Sequence, residues 1–435
     1  MYLPKKLKNV YTLGYYLTMD KSIPKDAGKM KAKQNKRIHE LMKIAYEIPF
    51  YRERFESSGT TPDDYHCSED LEKFPLITKA DLRLWMQQET DAHPEMKGKW
   101  DVLSTSGSSG TPLRILLTQK EVAAGNANWI RILKIAGYDP FFGKMYSFET
   151  SHRDPDAKKE DSFIQKYGIL RRKVVDEKTC VGEGVRDTIN EINEYKPAML
   201  CFRRNCLVRI ALYAKQHNMP LWKPKYYVPV SEMVDEVTVN LLHEMMGPGL
   251  IDGYGASETG CCVVKYPNRK YYHIMNDTHV VNIYDENNKL AENGKVILTT
   301  LYKKTFPIIN YDVGDLAQSK VKDGIRYISS IQGRMNDLVK HEDGVLSSAL
   351  ELMKIANGTV GLAQFRFIQE SYHHMHIQLV ADPNNTSKTP EENEKYFVDS
   401  VKALYGDEFD ITVEWLEVLP PDQTNKQRCF ICHVE

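Results

Sequence analysis

Ser104-Thr105-Ser106-Gly107-Ser108-Ser109-Gly110-Thr111-Pro112 packs six hydroxyl residues and two glycines into nine positions. Glycines let successive backbone amides converge on an anion, and hydroxyls add donors for phosphate oxygens. Read alone, the same composition suits a flexible Ser/Gly linker. Its setting speaks against a linker, because it runs straight into Leu113 to Thr118, a mostly apolar stretch that reads as a strand. The stretch has neither the Gly-Lys-Ser/Thr ending of a Walker loop nor the Gly-x-Ser-x-Gly of a nucleophile elbow.

The chain around it has 435 residues, about three times the roughly 150 residues of a typical domain, so two or three domains are expected. Lys and Arg (58) nearly cancel Asp and Glu (59), leaving a formal charge of −1 and no global basic field for nucleic acid or an anionic membrane. With 42% hydrophobic and 27% charged residues the composition is globular, which excludes wholesale disorder and a fibrous protein. There is no apolar run of about eighteen residues, and Met1 to Asp20 mixes Lys5, Lys6 and Lys8 with tyrosines instead of a signal-peptide core. A soluble, cytoplasmic protein without nucleic-acid or membrane partners is expected. Eight cysteines are too few for a disulfide scaffold at this length. Cys201 with Cys206 and Cys261 with Cys262 lack ligand spacing. Cys429-Phe430-Ile431-Cys432 has the spacing of a zinc half-site, but it reads as a strand, where residues an odd number apart face opposite ways. His374 and His376 share a strand face with no ligand pattern beside them, so no zinc site is expected.

Working outward along the chain, Ile38, Leu41, Met42 and Ala45 form a helical apolar stripe between Asp26 and Gly59, with a break at Pro49. Thr78 with Asp81 announces a second helix through a capping box, with Leu82 and Trp85 as its buried stripe. From about Glu121 to Tyr302, helical patterns (Leu207 to His217, Val234 to Met246) alternate with short apolar runs (Met199 to Phe202, Tyr226 to Val230, Val296 to Leu298). This predicts an α/β body with covered sheets. The last hundred or so residues predict a ββαβ unit. Phe365 to Ile368 and His376 to Val380 form a hairpin across the turn Glu370 to His373. Thr389-Pro390-Glu391-Glu392 starts a helix with Phe397, Val401 and Leu404 inward and Gly406 as stop, and Ile411, Val413 and Trp415 alternate in a third strand.

Downstream of the hydroxyl-rich stretch lie Tyr254-Gly255-Ala256-Ser257-Glu258, Tyr311-Asp312-Val313-Gly314-Asp315, Gly333-Arg334-Met335-Asn336-Asp337 and Lys426. Singly, these read as a turn, a loop, a surface charge and a solvated lysine. In this order and spacing, across nearly the whole chain, they resemble the signature of the adenylate-forming superfamily of acyl-CoA synthetases, peptide-synthetase adenylation domains and luciferases. Ile48-Pro49-Phe50-Tyr51-Arg52-Glu53-Arg54-Phe55 and Asp70 to Arg83 resemble the start of its phenylacetate-CoA ligase branch. That branch includes capsular-polysaccharide ligase-like proteins and the synthetase that adenylylates a deazaflavin cofactor. The resemblance implies an α/β synthetase body over residues 1–334 and a small mobile C-terminal lid over residues 335–435.

It also implies roles. Ser104, Thr105, Ser106, Gly107, Ser108, Ser109, Gly110 and Thr111 would close over the β- and γ-phosphates of ATP. Tyr254 would lie against adenine with Gly255 beside it, Ser257 would donate to phosphate, and Glu258 would help hold Mg2+, which suits oxygen ligands. Asp315 would accept hydrogen bonds from the ribose hydroxyls, and Arg334 would lie beside ribose and phosphate. Lys426 would bridge the attacking carboxylate and the α-phosphate. Asn425 stands where the family has glycine, and asparagine tolerates a left-handed backbone. Asn336, which best matches the usual hinge acid, or Asp337 would be the hinge about which the lid rotates to admit CoA. Tyr146 to Thr150, with Phe148 and Thr150 foremost, Gly253 beside Tyr254, and Glu232 would line the acid pocket, with His152 and Arg153 near polar substituents.

Two departures bear on the acceptor. The Cys-x-Cys of zinc-bearing relatives is replaced by Ser319-Lys320-Val321-Lys322-Asp323-Gly324, and Lys265 stands where a partner cysteine is expected, although His273 persists. The Arg-Gly-Val-Asn of aryl-CoA ligases gives way to His341-Glu342-Asp343-Gly344, as in the capsule and deazaflavin subgroup. The implied function is an ATP-dependent, AMP-forming ligase that joins a carboxylic acid to CoA. The alternatives are an adenylating enzyme with an amine, hydroxyl or cofactor acceptor, and a nucleotide-binding protein without catalysis.

Overall fold

The computed structural model describes residues 5–96, 99–104, 113–149, 171–176, 180–230, 232–334, 338–384, 387–420 and 427–434. The chain divides into two compact units, one of Met1–Gly137 with Gly253–Arg334 and the other of Tyr138–Asp252 with Met335–Glu435.

In the first unit, Asp26 caps the helix Ala27–Tyr46 by accepting from the Lys29 amide at 3.0 Å, and Ile38, Leu41, Met42 and Ala45 are buried along one stripe. The helical stretch before Gly59 is two helices, because Ile48 is extended ahead of Pro49, which begins the helix Pro49–Ser58. The Thr78–Asp81 capping box is present and starts the helix Lys79–Ala92, whose Leu82 and Trp85 are buried. These helices share one core, in which Trp85 stacks on Phe50 at 4.7 Å and Phe55 meets Phe74 edge-on at 5.0 Å.

The same unit holds a seven-stranded sheet in the order His279–Tyr284, Asn293–Thr300, Tyr311–Lys322, Ile325–Arg334, Tyr272–Ile274, Gly260–Lys265, Asp252–Ala256. Its two edges nearly meet: the His279 ring nitrogen Nε2 donates to the carbonyl of Thr259, beside the strand Gly260–Lys265, at 2.9 Å. A flat sheet would hold those strands about 24 Å apart, five spacings of roughly 4.8 Å, so the sheet curls toward a barrel. A smaller hairpin pairs Asp101–Ser104 with Arg114–Leu117, Ser104 opposite Arg114.

In the second unit, a parallel sheet runs in the order Arg172–Asp176, Met145–Glu149, Met199–Arg203, Tyr226–Val230. Parallel strands need crossovers and are buried on both faces, which is why Met199–Phe202 and Tyr226–Val230 read as apolar runs. The helices Gly184–Tyr195, Arg204–Gln216 and Glu236–Met246 contribute Ile189, Leu207 and Leu241 to its core. A second sheet orders Asp410–Trp415, His374–Ala381, Leu362–Ser371 and Phe430–Cys432. The hairpin expected there is antiparallel, and the helix Pro390–Tyr405 is the crossover that makes Asp410–Trp415 parallel to His374–Ala381. The ββαβ pattern is thus extended by the strand Phe430–Cys432, as read, and by the helix Leu350–Asn357. One inward position differs: Leu404 is 43% exposed, and Tyr405, four residues after Val401, is buried in its place. No helix among the described residues is long and apolar enough to cross a membrane.

Candidate nucleotide site

The curl of the first unit's sheet gathers three of the ordered motifs. Tyr254, on the edge strand, donates its phenol proton to Asp315 Oδ2 at 2.6 Å. In a flat sheet their strands would be about 19 Å apart, four spacings, beyond the reach of any side chain. Asp315 stands where the pairing with Asn293–Thr300 slips: Leu316 faces Lys295 and Asp312 faces Ile297, so three residues bulge opposite one. Gly314 permits this with φ of +81°, its amide donating to Asp312 Oδ1 at 2.8 Å. On the other side the ladder sets Asp315 directly opposite Arg334.

The turn Ser257–Thr259 joins the strands Asp252–Ala256 and Gly260–Lys265. A Cβ on Gly255 would come within 2.0 Å of the Gly260 carbonyl oxygen, so no side chain fits there. Replacing Gly255 with alanine is expected to force these strands apart at a cost of about 1–3 kcal/mol. Denaturant unfolding and nucleotide titration check this; wild-type stability with wild-type affinity would refute it.

Within the turn, Ser257 is exposed and Glu258 is 6% exposed. Glu258 Oε1 accepts from the Tyr311 hydroxyl at 3.2 Å, and burial beside this carboxylate raises the Tyr311 pKa, keeping the phenol protonated as the donor. Lys303, 2% exposed, donates to the Glu258 backbone carbonyl, while the Thr259 carbonyl accepts from Tyr302 Oη at 3.0 Å and from His279. Burial pushes His279 down to about 4, so the ring is neutral at pH 7. Its proton therefore sits on Nε2, and unprotonated Nδ1 faces the Thr278 hydroxyl at 3.0 Å. The Glu258 and Asp315 carboxylates offer oxygen ligands of the kind Mg2+ takes and acceptors for sugar hydroxyls.

Of the other residues named from sequence, Ser104 ends a strand paired with Arg114–Leu117. The hydroxyl-rich stretch thus connects paired strands, which an interdomain linker does not do. Residues 105–111 themselves, Thr150, His152, Arg153, Asn336, Asp337 and Lys426 lie outside the described residues. Gly253 lies on the edge strand with Tyr254. Phe148 and Glu232 belong to the second unit. Phe148 packs against Phe202 at 5.9 Å under the Arg203 guanidinium, and Glu232 Oε2 accepts from the Gln427 amide at 3.3 Å. The cysteines are free thiols; Cys429 lies by Arg204 and Asp235, and Cys432 by Gln369.

Sequence reading missed Lys303, Tyr302, His279 and Glu121. Glu121 was findable: Thr118 and Glu121 form a capping box on the helix Gln119–Ile135 that follows the hydroxyl-rich hairpin. Lys303, in a Lys-Lys-Thr string, carries no local sign of burial.

The chain resembles known proteins along most of its length. Residues 338–433 match the family described as the CapK C-terminal domain. Phenylacetate-coenzyme A ligase of Escherichia coli (strain K12) is 25% identical over 329 residues, 71% of this chain and 72% of that protein. Protein CapK of Staphylococcus aureus is 21% identical over 450 residues, 99% of this chain and 94% of that protein. Among solved structures, 2-hydroxyisobutyryl-CoA ligase in the postadenylation state with R3-HIB-AMP superposes with a TM-score of 0.72 at 17% identity, over 99% of this chain and 94% of that one. Fold and motif order together define an adenylate-forming enzyme. More narrowly, the chain resembles phenylacetate-CoA ligases and protein CapK in sequence, and it is an AMP-forming ligase.

Proposed function

We propose that the protein adenylates a carboxylic acid with ATP and passes the acyl group to CoA. The observation that carries this reading is that the curled sheet and its turn pair Tyr254 with Asp315 and Tyr311 with Glu258, two tyrosines and two carboxylates of the kinds that suit a nucleotide and its metal. In the first step a carboxylate oxygen attacks the α-phosphorus, the bond to the β-phosphate oxygen breaks, and pyrophosphate leaves. In the second the CoA thiol, losing its proton, attacks the acyl carbonyl and AMP departs. Ser104 to Thr111 would hold the phosphates, Asp315 the ribose, Tyr254 the adenine and Arg334 the ribose-phosphate edge. Glu258 would hold Mg2+, which supplies charge neutralisation on the phosphates when bound. Phe148, Thr150, Gly253 and Glu232 are the proposed acid-pocket residues. Residues 1–334 would act as the body and 335–435 as a lid turning at Asn336 or Asp337, with Lys426 serving the first step.

ATP–pyrophosphate exchange across a panel of carboxylic acids, aryl acids included, is the test. Exchange with at least one acid is the expected result, and no exchange with any would remove the reading. A second reading, adenylation followed by transfer to an amine, hydroxyl or cofactor, is supported by the CapK-type match at residues 338–433 and by His341-Glu342-Asp343-Gly344 after the proposed hinge. Exchange-active acid given CoA separates the two: a thioester supports the first, and an adenylate that CoA does not consume supports the second.

A further inference from the structure

Lys303 is a buried cation that the scheme above does not use. It lies between the strands Asn293–Thr300 and Tyr311–Lys322, and its ammonium is aimed at the Glu258 carbonyl. Burying a charge is costly unless it is matched, and two carboxylates, Glu121 and Glu258, face this one. Glu121 fixes the loop: Oε1 accepts from the Thr305 and Phe306 amides at 2.9 and 3.2 Å, and Oε2 from the Thr118 amide at 2.8 Å. Hydrogen bonds therefore tie the end of the hydroxyl-rich hairpin through Glu121 to the Thr305–Phe306 loop, and Lys303, two residues before Thr305, reaches the turn that carries Glu258.

We propose that Lys303 is a positioning residue of the nucleotide site, holding the Ser257–Thr259 turn through the Glu258 carbonyl and supplying the counter-charge that lets two carboxylates stand beside an anionic nucleotide. This rests on the nucleotide reading of the site given above. Mg·ATP carries net negative charge, so removing the ammonium both loosens the turn and raises the opposing negative potential, and the two effects weaken binding together.

The experiment is calorimetric titration of the full chain with Mg·ATP at pH 7, for wild type, Lys303→Met and Lys303→Arg. The Met variant should bind at least about 10-fold more weakly at pH 7, the worth of one charge-assisted hydrogen bond. The Lys303→Arg variant, which keeps the cation, should bind within a few-fold of wild type. If Lys303→Met does not fold, Lys303→Gln, which keeps a donor for the Glu258 carbonyl but not the charge, takes its place. Wild-type affinity in the uncharged variant, or a loss in Lys303→Arg as large as in the uncharged variant, overturns the proposal. Failure of the wild type to bind Mg·ATP at all instead removes the nucleotide reading beneath it, and binding without acid-dependent exchange removes only the proposed reaction.

Discussion

Lys426→Ala is expected to lower the rate of acyl-adenylate formation by about 10²–10³-fold, the usual loss when one pre-aimed donor to a developing charge is removed. In the proposed first step negative charge gathers on the oxygens around the α-phosphorus as carboxylate and pyrophosphate lie in line, and an ammonium placed there acts on the transition state more than on the bound reactants. ATP affinity should therefore stay within a few-fold of wild type. Next along the chain, Gln427 is held by three groups of its own unit: Glu232 accepts from its amide, Arg204 Nη1 donates to its carbonyl at 3.4 Å, and Gln364 Nε2 donates to its Oε1 at 2.9 Å. Gln364 also accepts from the Leu419 amide at 2.9 Å, so one side chain ties both flanks of the segment that carries Lys426. Pyrophosphate exchange measures the rate and calorimetry the affinity; undiminished exchange in the alanine variant would take the catalytic role away from Lys426.

The largest stability effect is expected at Arg204. Its guanidinium is 2% exposed and pairs with Asp235, which is 6% exposed and caps the helix Glu236–Met246 by accepting from the Thr238 amide at 2.8 Å. The Thr238 hydroxyl accepts from Arg204 Nη2 at 2.7 Å, and burial next to this ion pair pushes the Cys429 thiol up to about 12. Arg204→Ala leaves a buried carboxylate without its cation, which costs about 3–5 kcal/mol. Replacing both partners with apolar residues should cost less than the sum of the single losses, because no lone charge is left behind. Denaturant unfolding of the two single variants and the double variant measures the coupling. A single-variant cost below about 1 kcal/mol, within the range of exposed ion pairs, would show that solvent reaches the pair and compensates it.

Much of the first unit's site was legible because its motifs are contiguous. Tyr254, Glu258 and Asp315 sit in short segments whose residue types already match nucleotide chemistry, and Tyr311 lay inside a motif without a role assigned to it. Lys303 and His279 were not legible. What marks them is burial against a turn in another part of the chain, and a lysine in a polar string or a histidine opening a strand gives no local sign of that.

The sequence by itself determined what depends on neighbours along the chain. Thr78 with Asp81 and Thr389 with Glu392 close their capping boxes over three residues, and the 3–4 spacing and the alternating runs set helices and strands. These are short-range hydrogen bonds and periodicities, so their geometry follows from the residues alone. Only the tertiary structure decided which partners meet. Tyr254 finds Asp315 across 61 positions, Glu258 finds Tyr311 across 53 and Arg204 finds Gln427 across 223. Even along one helix, Leu404 and Tyr405 both satisfied the helical spacing, and packing buried the tyrosine. Periodicity fixes which face of an element is apolar, whereas sheet curl, strand register and the Gly314 bulge fix what that face touches.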